Sequence, residues 1–380
     1  MRVLIAAGGT GGHIYPGIAV AQEIMRRDGS SKVHFVGTAR GLETRLVPQA
    51  GFELSLIESA GLKNVSLGAR VKGIAVLPKS FISARKLMRQ FRPDVVVGAG
   101  GYVSGPVVLT AALTNRPTLV MESNALPGWT NRMLARFVDR AAVSFEQALP
   151  YFRGKAKVTG NPVRREFFEI PAKQREPGKF SLLVFGGSQG ARALNEAMMA
   201  ALPRLKAIPI ELRIKHQTGP ADFEKVKAAY TATDWGERAD VRSYIDNMMA
   251  DFAAADLVLC RAGATTTAEL IAAGKASIMV PFPFAADDHQ RKNAEALQAE
   301  GASRMILQQD LSGDRLATEI EKLVQAPHDI DRMEDASRKL AHGDAAAAAV
   351  DMIEELSHKK AQNAQRRDKQ KSIDINKNKN

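Results

Sequence analysis

The sequence predicts an α/β protein built from two doubly wound parallel sheets, each in its own domain. Three observations lead there. Short, continuously apolar runs alternate with helix-like stretches along most of the chain, the pattern of strands covered on both faces. Two of these runs end in glycine-rich turns. Residues 3–7 lead into Gly8-Gly9-Thr10-Gly11-Gly12-His13, and residues 181–185 into Gly186-Gly187-Ser188-Gln189-Gly190. Finally, 380 residues exceed what one ordinary core takes up. Strand, glycine turn and helix is the unit that brings backbone N–H groups up to an anionic ligand. Two copies therefore suggest Rossmann-like domains facing one cleft.

The elements follow in order. Strands are expected at 3–7, 33–37, 53–57, 94–98, 118–122 and 141–144, with a last short one at 157–159. A helix over 16–27 follows the first glycine turn. Gly160-Asn161-Pro162 is a turn signal, and the boundary is placed near Pro162–Arg164. The segment 166–179, with Pro171, Pro177 and several charges, reads as an exposed connection between the halves. Second-half strands are expected at 181–185, 211–215, 240–242, 257–260, 276–280 and 304–307. Helices are expected at 191–202, 222–232, 265–273, 290–300, 315–324 and 345–356. The organisation is thus an N-terminal domain over 1–163, a C-terminal domain over 164–357 and a basic tail over 358–380. From Lys359 onward the tail carries eight Lys/Arg against two Asp and almost no apolar residue, the composition of a disordered segment.

Composition excludes several function classes. Apolar residues make up 45% and charged residues 25%, so a sizeable core is available. At 6%, aromatics are too sparse for stacking platforms on single-stranded nucleic acid. The only cysteine, Cys260, ends an apolar run, which rules out a disulfide framework or a cysteine zinc site. The first apolar run is too short for a signal-peptide core, and no run approaches the roughly 20 residues of a membrane span. A soluble, cytoplasmic chain is expected. Net charge is +12, with eight basic and no acidic residues between Lys63 and Arg92. Apolar residues such as Ile74, Phe81 and Leu87 are interleaved there, so the stretch suits either docking on an anionic membrane or a helix pair with a solvated basic face.

Neither glycine turn fits G-x-G-x-x-G, and no Gly-Lys-Ser/Thr follows either, so dinucleotide and nucleoside-triphosphate readings both weaken. What remains is a diphosphate-friendly backbone at two helix starts. His13, at the first helix start, can take a proton from an attacking hydroxyl or can simply pack. The cluster Gly98-Ala99-Gly100-Gly101-Tyr102-Val103-Ser104 can add donors for a second phosphate group. Asn124, after another strand, suits sugar hydroxyls. In the second half, Ala264-Thr265-Thr266-Thr267 can cap a helix whose N-terminus accepts phosphate. Glu269 can hold ribose hydroxyls or complement the helix dipole. Asp287-Asp288-His289 and Asp329-Ile330-Asp331 are unconvincing metal ligands, and neither an essential metal nor a cofactor is expected.

Taken together, Gly8–His13, Gly100–Pro106, Gly160–Arg164, Gly186–Ala191, Tyr244–Met248, Cys260–Glu269 and Pro281–Asn293 resemble the bacterial glycosyltransferases that convert lipid I to lipid II in peptidoglycan synthesis. The resemblance spans nearly the whole chain except the tail. It implies the two-domain GT-B fold and inverting transfer of GlcNAc from UDP-GlcNAc to the C4 hydroxyl of the MurNAc-pentapeptide of undecaprenyl-pyrophosphoryl lipid I. It also implies the site. Thr10, Gly11 and Gly12 approach the donor, and Asn124 and Gln290 contact GlcNAc. Arg164 and Ser188 bind the nucleotide-phosphate region, Ile245 meets uracil through its backbone, Ala264 and Thr265 meet phosphate, and Glu269 holds the ribose. The acceptor diphosphate lies against Gly12, Gly101, Tyr102 and Ser104, and His13 is the base. The same likeness favours membrane docking for Lys63–Arg92, hence a peripheral enzyme on the cytoplasmic face of the inner membrane, and no nucleic-acid partner. Another GT-B glycolipid transferase, a nicotinamide oxidoreductase and a non-catalytic nucleotide-binding protein are the alternatives.

Overall fold

The computed structural model describes residues 1–9, 11–39, 41–59, 67–187, 189–341, 343–359 and 362; of residues 67–75 and 286 it describes the backbone. The predicted disorder of the tail falls almost wholly outside these residues. The chain divides into two compact units: Met1–Ser123 with Pro127–Pro162 and Gly343–Asn380, and Asn124–Leu126 with Val163–His342.

The first unit holds seven parallel strands: β1 (Arg2–Ala7), β2 (Lys32–Gly37), β3 (Glu53–Leu56), β4 (Val95–Gly100), β5 (Thr118–Glu122), β6 (Arg140–Val143) and β7 (Ala156–Val158), in the order β3-β2-β1-β4-β5-β6-β7. Central β1 pairs Val3 with Val33 on one side and with Val95 on the other. Its alternate residues feed two cores. Val3, Ile5 and Ala7 pack with Ile14, Ile18 and Ile24 of helix α1 (Gly11–Arg27). Leu4 and Ala6 pack instead with Ala84 and Met88 of α3 (Leu67–Phe91), and with Val107 and Ala111 of α4 (Ser104–Leu113). Burial on both faces is why these strands read as unbroken apolar runs rather than alternating ones. Two short helices, α2 (Glu43–Gln49) and α5 (Trp129–Leu134), complete the first half of the chain.

The second unit holds β8 (Lys179–Phe185), β9 (Glu211–Gln217), β10 (Ala239–Arg242), β11 (Leu257–Cys260), β12 (Ser277–Met279) and β13 (Ser303–Met305), all parallel, in the order β10-β9-β8-β11-β12-β13. Its helices are α6 (Arg192–Lys206), α7 (Phe223–Ala232), α8 (Met248–Ala254), α9 (Ala264–Ala273), α10 (His289–Ala299), α11 (Gly313–Gln325) and α12 (Pro327–Lys339). Leu182, Val184, Leu257, Leu259 and Ile278 pack against Leu194, Met198 and Leu202 of α6 and Leu316, Ile320 and Leu323 of α11.

Three expectations are corrected. Helix α1 starts at Gly11 rather than near Pro16, so Gly11, Gly12 and His13 form its first turn. Packing of Ile14 and Ile18 on β1 overrides the poor helix propensity of the two glycines. The stretch before Arg92 is one helix with Pro78 inside it, not a helix pair. Residues 166–179 are mostly exposed, as expected, but anchored at three points. Phe167 is fully buried edge-on against Phe252 at 5.3 Å, and Lys173 Nζ meets Asp256 at 2.7 Å. Arg175 pairs with Asp331 and, at 2.9 Å, with Glu334.

The C-terminal boundary also moves. A last helix, α13 (345–359), belongs to the first unit and not to a domain over 164–357. Ala349, Val350, Met352, Ile353 and Leu356 are buried in the α1 face of the first core. Arg27 fixes the helix with bonds to Asp351 (2.7 Å), Glu354 (3.1 Å) and the Ala347 carbonyl (3.0 Å). Among the described residues no helix is long and apolar enough to cross a membrane.

Candidate active site

In each unit the first strand of the sheet's centre delivers a glycine turn at its carboxyl end, and the polar residues gather there. In the first unit Gly9 has φ +91°, which admits the sharp exit from β1 before α1 begins. The N–H groups of the first turn of α1 have no intrahelical partner and form an anion-ready end. A skipped residue between β1 and β4 pairs Ala6 with Gly98 and Ala7 with Gly100. This brings Gly100 (φ +117°) against the imidazole of His13, where any Cβ would collide with Nδ1. A Cβ at Gly101 would likewise collide with the Gly8 carbonyl. Gly100 and Gly101 are thus packed against the His13 ring and the Gly8 carbonyl with no room for a Cβ at either.

Ser104 is placed differently from the expectation. It is fully buried, its hydroxyl accepts from the Gly100 N–H (3.0 Å), and it lies 2.9 Å from the Ala6 carbonyl and 2.8 Å from that of Gly100. Its work is to tie the third glycine loop to β1, so its side chain is no ligand for the acceptor diphosphate. Tyr102 is exposed, and its carbonyl accepts from the Ser59 hydroxyl at 2.9 Å. Sequence reasoning missed Glu43, a fully buried carboxylate of α2. One of its oxygens accepts from the Gly9 N–H (2.9 Å), the other from the N–H and hydroxyl of Thr38 (2.8 Å each). Thr10 lies outside the described residues.

In the second unit, Gly190 (φ +77°) and Gly219 (φ +76°) press the glycine turn onto the loop after β9. Gln217, at the end of β9 and 2% exposed, locks this arrangement. Its Nε2 donates to the Gly187 carbonyl (2.9 Å), and its Oε1 accepts the Ile245 N–H (2.8 Å). The Ile245 N–H is thus engaged inside the protein. Gln217 was visible only as a polar residue at a strand's carboxyl end. Ser188 lies outside the described residues.

Helix α9 presents its N-terminus beside this turn-bearing edge. Its N-cap is Gly263, without a side-chain cap, so the threonines do not cap it as expected. The Thr267 hydroxyl bonds back to the Gly263 carbonyl, whereas the Thr265 hydroxyl oxygen is buried with no hydrogen-bond partner among the described residues. One turn further in, burial lifts the Glu269 carboxyl from 4.5 to about 7, against the opposing pull of the Arg164 guanidinium. That guanidinium lies 5.1 Å above the Phe167 ring. Gln290, in the first turn of α10, accepts the Phe282 N–H on Oε1 (3.0 Å), which leaves its amide N–H groups as donors.

Asn124 falls in the second unit, where its Oδ1 accepts from Asn293 Nδ2 at 3.2 Å. The fully buried Asn293 also takes the Ala125 N–H (3.0 Å) and donates to the Ala262 carbonyl (3.1 Å). It was missed although it ends the segment that contains Gln290. Among the described residues no three His, Cys, Asp or Glu side chains converge on a metal-sized site.

Two parallel α/β units, each with a glycine turn at the end of a central strand, are the arrangement of GT-B glycosyltransferases. The chain belongs to glycosyltransferase family 28: the pattern of the family's N-terminal domain matches residues 3–143 and that of its C-terminal domain residues 181–372. A protein of Geotalea daltonii named UDP-N-acetylglucosamine–N-acetylmuramyl-(pentapeptide) pyrophosphoryl-undecaprenol N-acetylglucosamine transferase is 46% identical over 355 residues, 92% of this chain and 96% of its own length. One of the same name from Anaeromyxobacter dehalogenans is 48% identical over 358 residues, covering 94% and 93%. Among solved structures, MurG of Acinetobacter baumannii superimposes with a TM-score of 0.77 at 30% identity, covering 93% of this chain and 99% of that one.

Proposed function

We propose that the protein transfers GlcNAc from UDP-GlcNAc to the C4 hydroxyl of the MurNAc-pentapeptide of undecaprenyl-pyrophosphoryl lipid I, giving lipid II. The observation that carries this reading is the likeness to relatives of that stated activity over at least nine-tenths of their length. The site chemistry agrees with it.

The donor is assigned to the second unit. The α9 N-terminus, with the backbone of Ala264 and the spare Thr265 hydroxyl, takes the diphosphate. Arg164 and Ser188 add to that grip. Glu269, once ionised, accepts both ribose hydroxyls, and the Ile245 carbonyl accepts N3–H of uracil. Gln290 donates to GlcNAc hydroxyls, and Asn124, steadied by Asn293, reads the same sugar. Thr10, Gly11 and Gly12 approach the donor from the first glycine turn. The acceptor diphosphate is assigned to backbone N–H groups of Gly12, Gly101 and Tyr102.

His13 takes the proton from the MurNAc C4 hydroxyl. The oxygen attacks C1 of GlcNAc from the face opposite UDP, and the C1–O bond to UDP breaks with its electron pair. An α-linked donor thereby yields a β(1→4) product. Charge growing on UDP is met by the α9 N-terminus and the backbone donors.

The acceptor is a membrane lipid, and α3 offers a means of reaching it. In its described part, Ser80, Ala84 and Met88 face inward while Lys79, Arg85, Lys86 and Arg89 are exposed, and Ile82 is 69% exposed. Leu113 on neighbouring α4 is also 69% exposed. Basic and apolar groups together suit an anionic bilayer at about 1 kcal/mol per basic residue. On this reading the enzyme works peripherally on the cytoplasmic face of the inner membrane; Lys63, part of the same expectation, lies outside the described residues.

The deciding experiment is UDP release with a lipid I analogue as acceptor. UDP formation with matching β-linked disaccharide product is expected. Release with a different sugar nucleotide alone would point to another glycolipid transferase, and donor binding without turnover to a non-catalytic protein.

A further inference from the structure

The carboxylate beneath the first glycine turn has no role in the assignments above, yet the surrounding sequence is shaped around it. A Cβ at Gly8 would stand 2.9 Å from Glu43 Oε1, and a Cβ at Gly37 or Gly41 would collide with the Glu43 side chain. Three glycines, one after β1 and two on the stretch from β2 to α2, thus leave space for one acidic residue. A buried carboxylate is costly unless hydrogen bonds replace its hydration. Glu43 accepts three of them, from the Gly9 N–H and from the N–H and hydroxyl of Thr38. The residue before it completes a clamp: the Leu42 N–H donates to the Gly9 carbonyl at 3.3 Å. Both backbone polar groups of Gly9 are therefore held by consecutive residues.

We infer that Glu43 is a positioning residue for proton transfer at His13, acting through Gly9 and never touching substrate. This rests on the reading of His13 as the base. Gly9 sits two residues before α1, whose third residue is His13. With φ at +91° it has conformations open to it that other residues lack, so it is the joint at which α1's first turn would drift if released. The His13 ring is confined on its far side by Gly100, and Gly101 abuts the Gly8 carbonyl. The clamp at Gly9 adds a second constraint, on the backbone that carries the ring. It also decides which donors serve the acceptor. The Gly9 N–H is spent on Glu43, so an anion at this turn is left with the first N–H groups of α1.

The test is steady-state kinetics of Glu43→Gln with UDP-GlcNAc and a lipid I analogue, with donor Kd measured separately and melting temperature recorded. The substituted amide keeps one oxygen as acceptor but presents an N–H₂ group to a donor, so one arm of the clamp opens. We expect kcat to fall roughly 10- to 100-fold, the cost of misplacing a reacting group by about 1 Å, with donor Kd within about twofold of wild type. Thr38→Val is the structural control. It deletes one hydrogen bond to the same carboxylate while the Gly9 contact remains, and should lower the melting temperature with kcat nearly unchanged. Leu42→Pro opens the other arm of the clamp. Leu42 is exposed with φ −67°, which proline adopts, so this variant decides the matter should Glu43→Gln not fold. Its expected result is a several-fold lower kcat at wild-type donor affinity.

Full kcat in both clamp variants, or losses that track melting temperature equally in all three, would overturn the inference. A wild-type protein that fails to turn over would instead refute the functional reading, a result separate from either.

Discussion

If Glu269 holds the ribose as proposed, its carboxyl should make donor binding depend on pH in a calculable way. In the free protein burial raises it from 4.5 to about 7. Ribose hydroxyls are donors, so the nucleotide binds the ionised form and binding must expel the proton carried below pH 7. With the group at about 7, the factor 1 + 10^(pKa − pH) rises about tenfold between pH 8 and pH 6, and the donor Kd should weaken by about that much. Stability of the unliganded protein runs the opposite way. The folded state holds this proton more tightly than the unfolded chain, so the contribution is full below about 4.5 and is lost as pH rises through about 7. At about 1.36 kcal/mol per tenfold its ceiling is roughly 3 kcal/mol, reduced by the partial exposure of the side chain. Calorimetric titration of UDP-GlcNAc across pH 6–8, in buffers of different ionisation heat, measures both affinity and released protons. Glu269→Gln should bind more weakly at pH 8 and show a flat profile. A flat wild-type profile, or an equal slope in the variant, would refute the argument.

His13→Ala should lower kcat roughly 10²- to 10⁴-fold with donor Kd near wild type, as read by UDP release and calorimetry; near-full turnover would remove it as the base. Replacing Lys79, Arg85 and Lys86 by Glu should release the protein from anionic vesicles in a sedimentation assay, most clearly at low salt. Persistent binding would place the docking surface elsewhere. Ile353→Ala, at a fully buried site of α13, should cost about 2–4 kcal/mol in urea denaturation. A loss under about 1 kcal/mol would mean that α13 is only loosely held.

The strands were legible because burial on both faces leaves a continuous apolar signature; Leu257–Cys260 and Thr118–Glu122 have the expected bounds. The start of α1 was not, because Gly11 and Gly12 carry no helix propensity and only the contacts of Ile14 and Ile18 make them helical. The half-buried residues His13, Asn124, Glu269 and Gln290 were singled out from sequence. Those beneath them were harder to see. Glu43 meets its partners at Gly9 and Thr38, Gln217 at Gly187 and Ile245, and Asn293 at Asn124, pairings fixed by the fold and not by spacing. Ser104 was misjudged for the same reason. A serine after a glycine loop looks like a ligand until its hydroxyl is seen turned inward to Ala6 and Gly100. Helix α13 was legible as a helix, but the surface it covers was not, since its apolar stripe fits either core equally well in sequence.

That last helix changes what counts as a half of this protein. Chimeras that graft the nucleotide-sugar half of one relative onto the acceptor half of another invite a single junction near residue 163. Such a splice would import a foreign α13 and set it on Ile18, Ile24 and Phe35 of the host, with Arg27 facing strangers in place of Asp351 and Glu354. A faithful exchange needs two seams, one at 162/163 and another at 342/343, with the final helix kept by the parent that supplies β1.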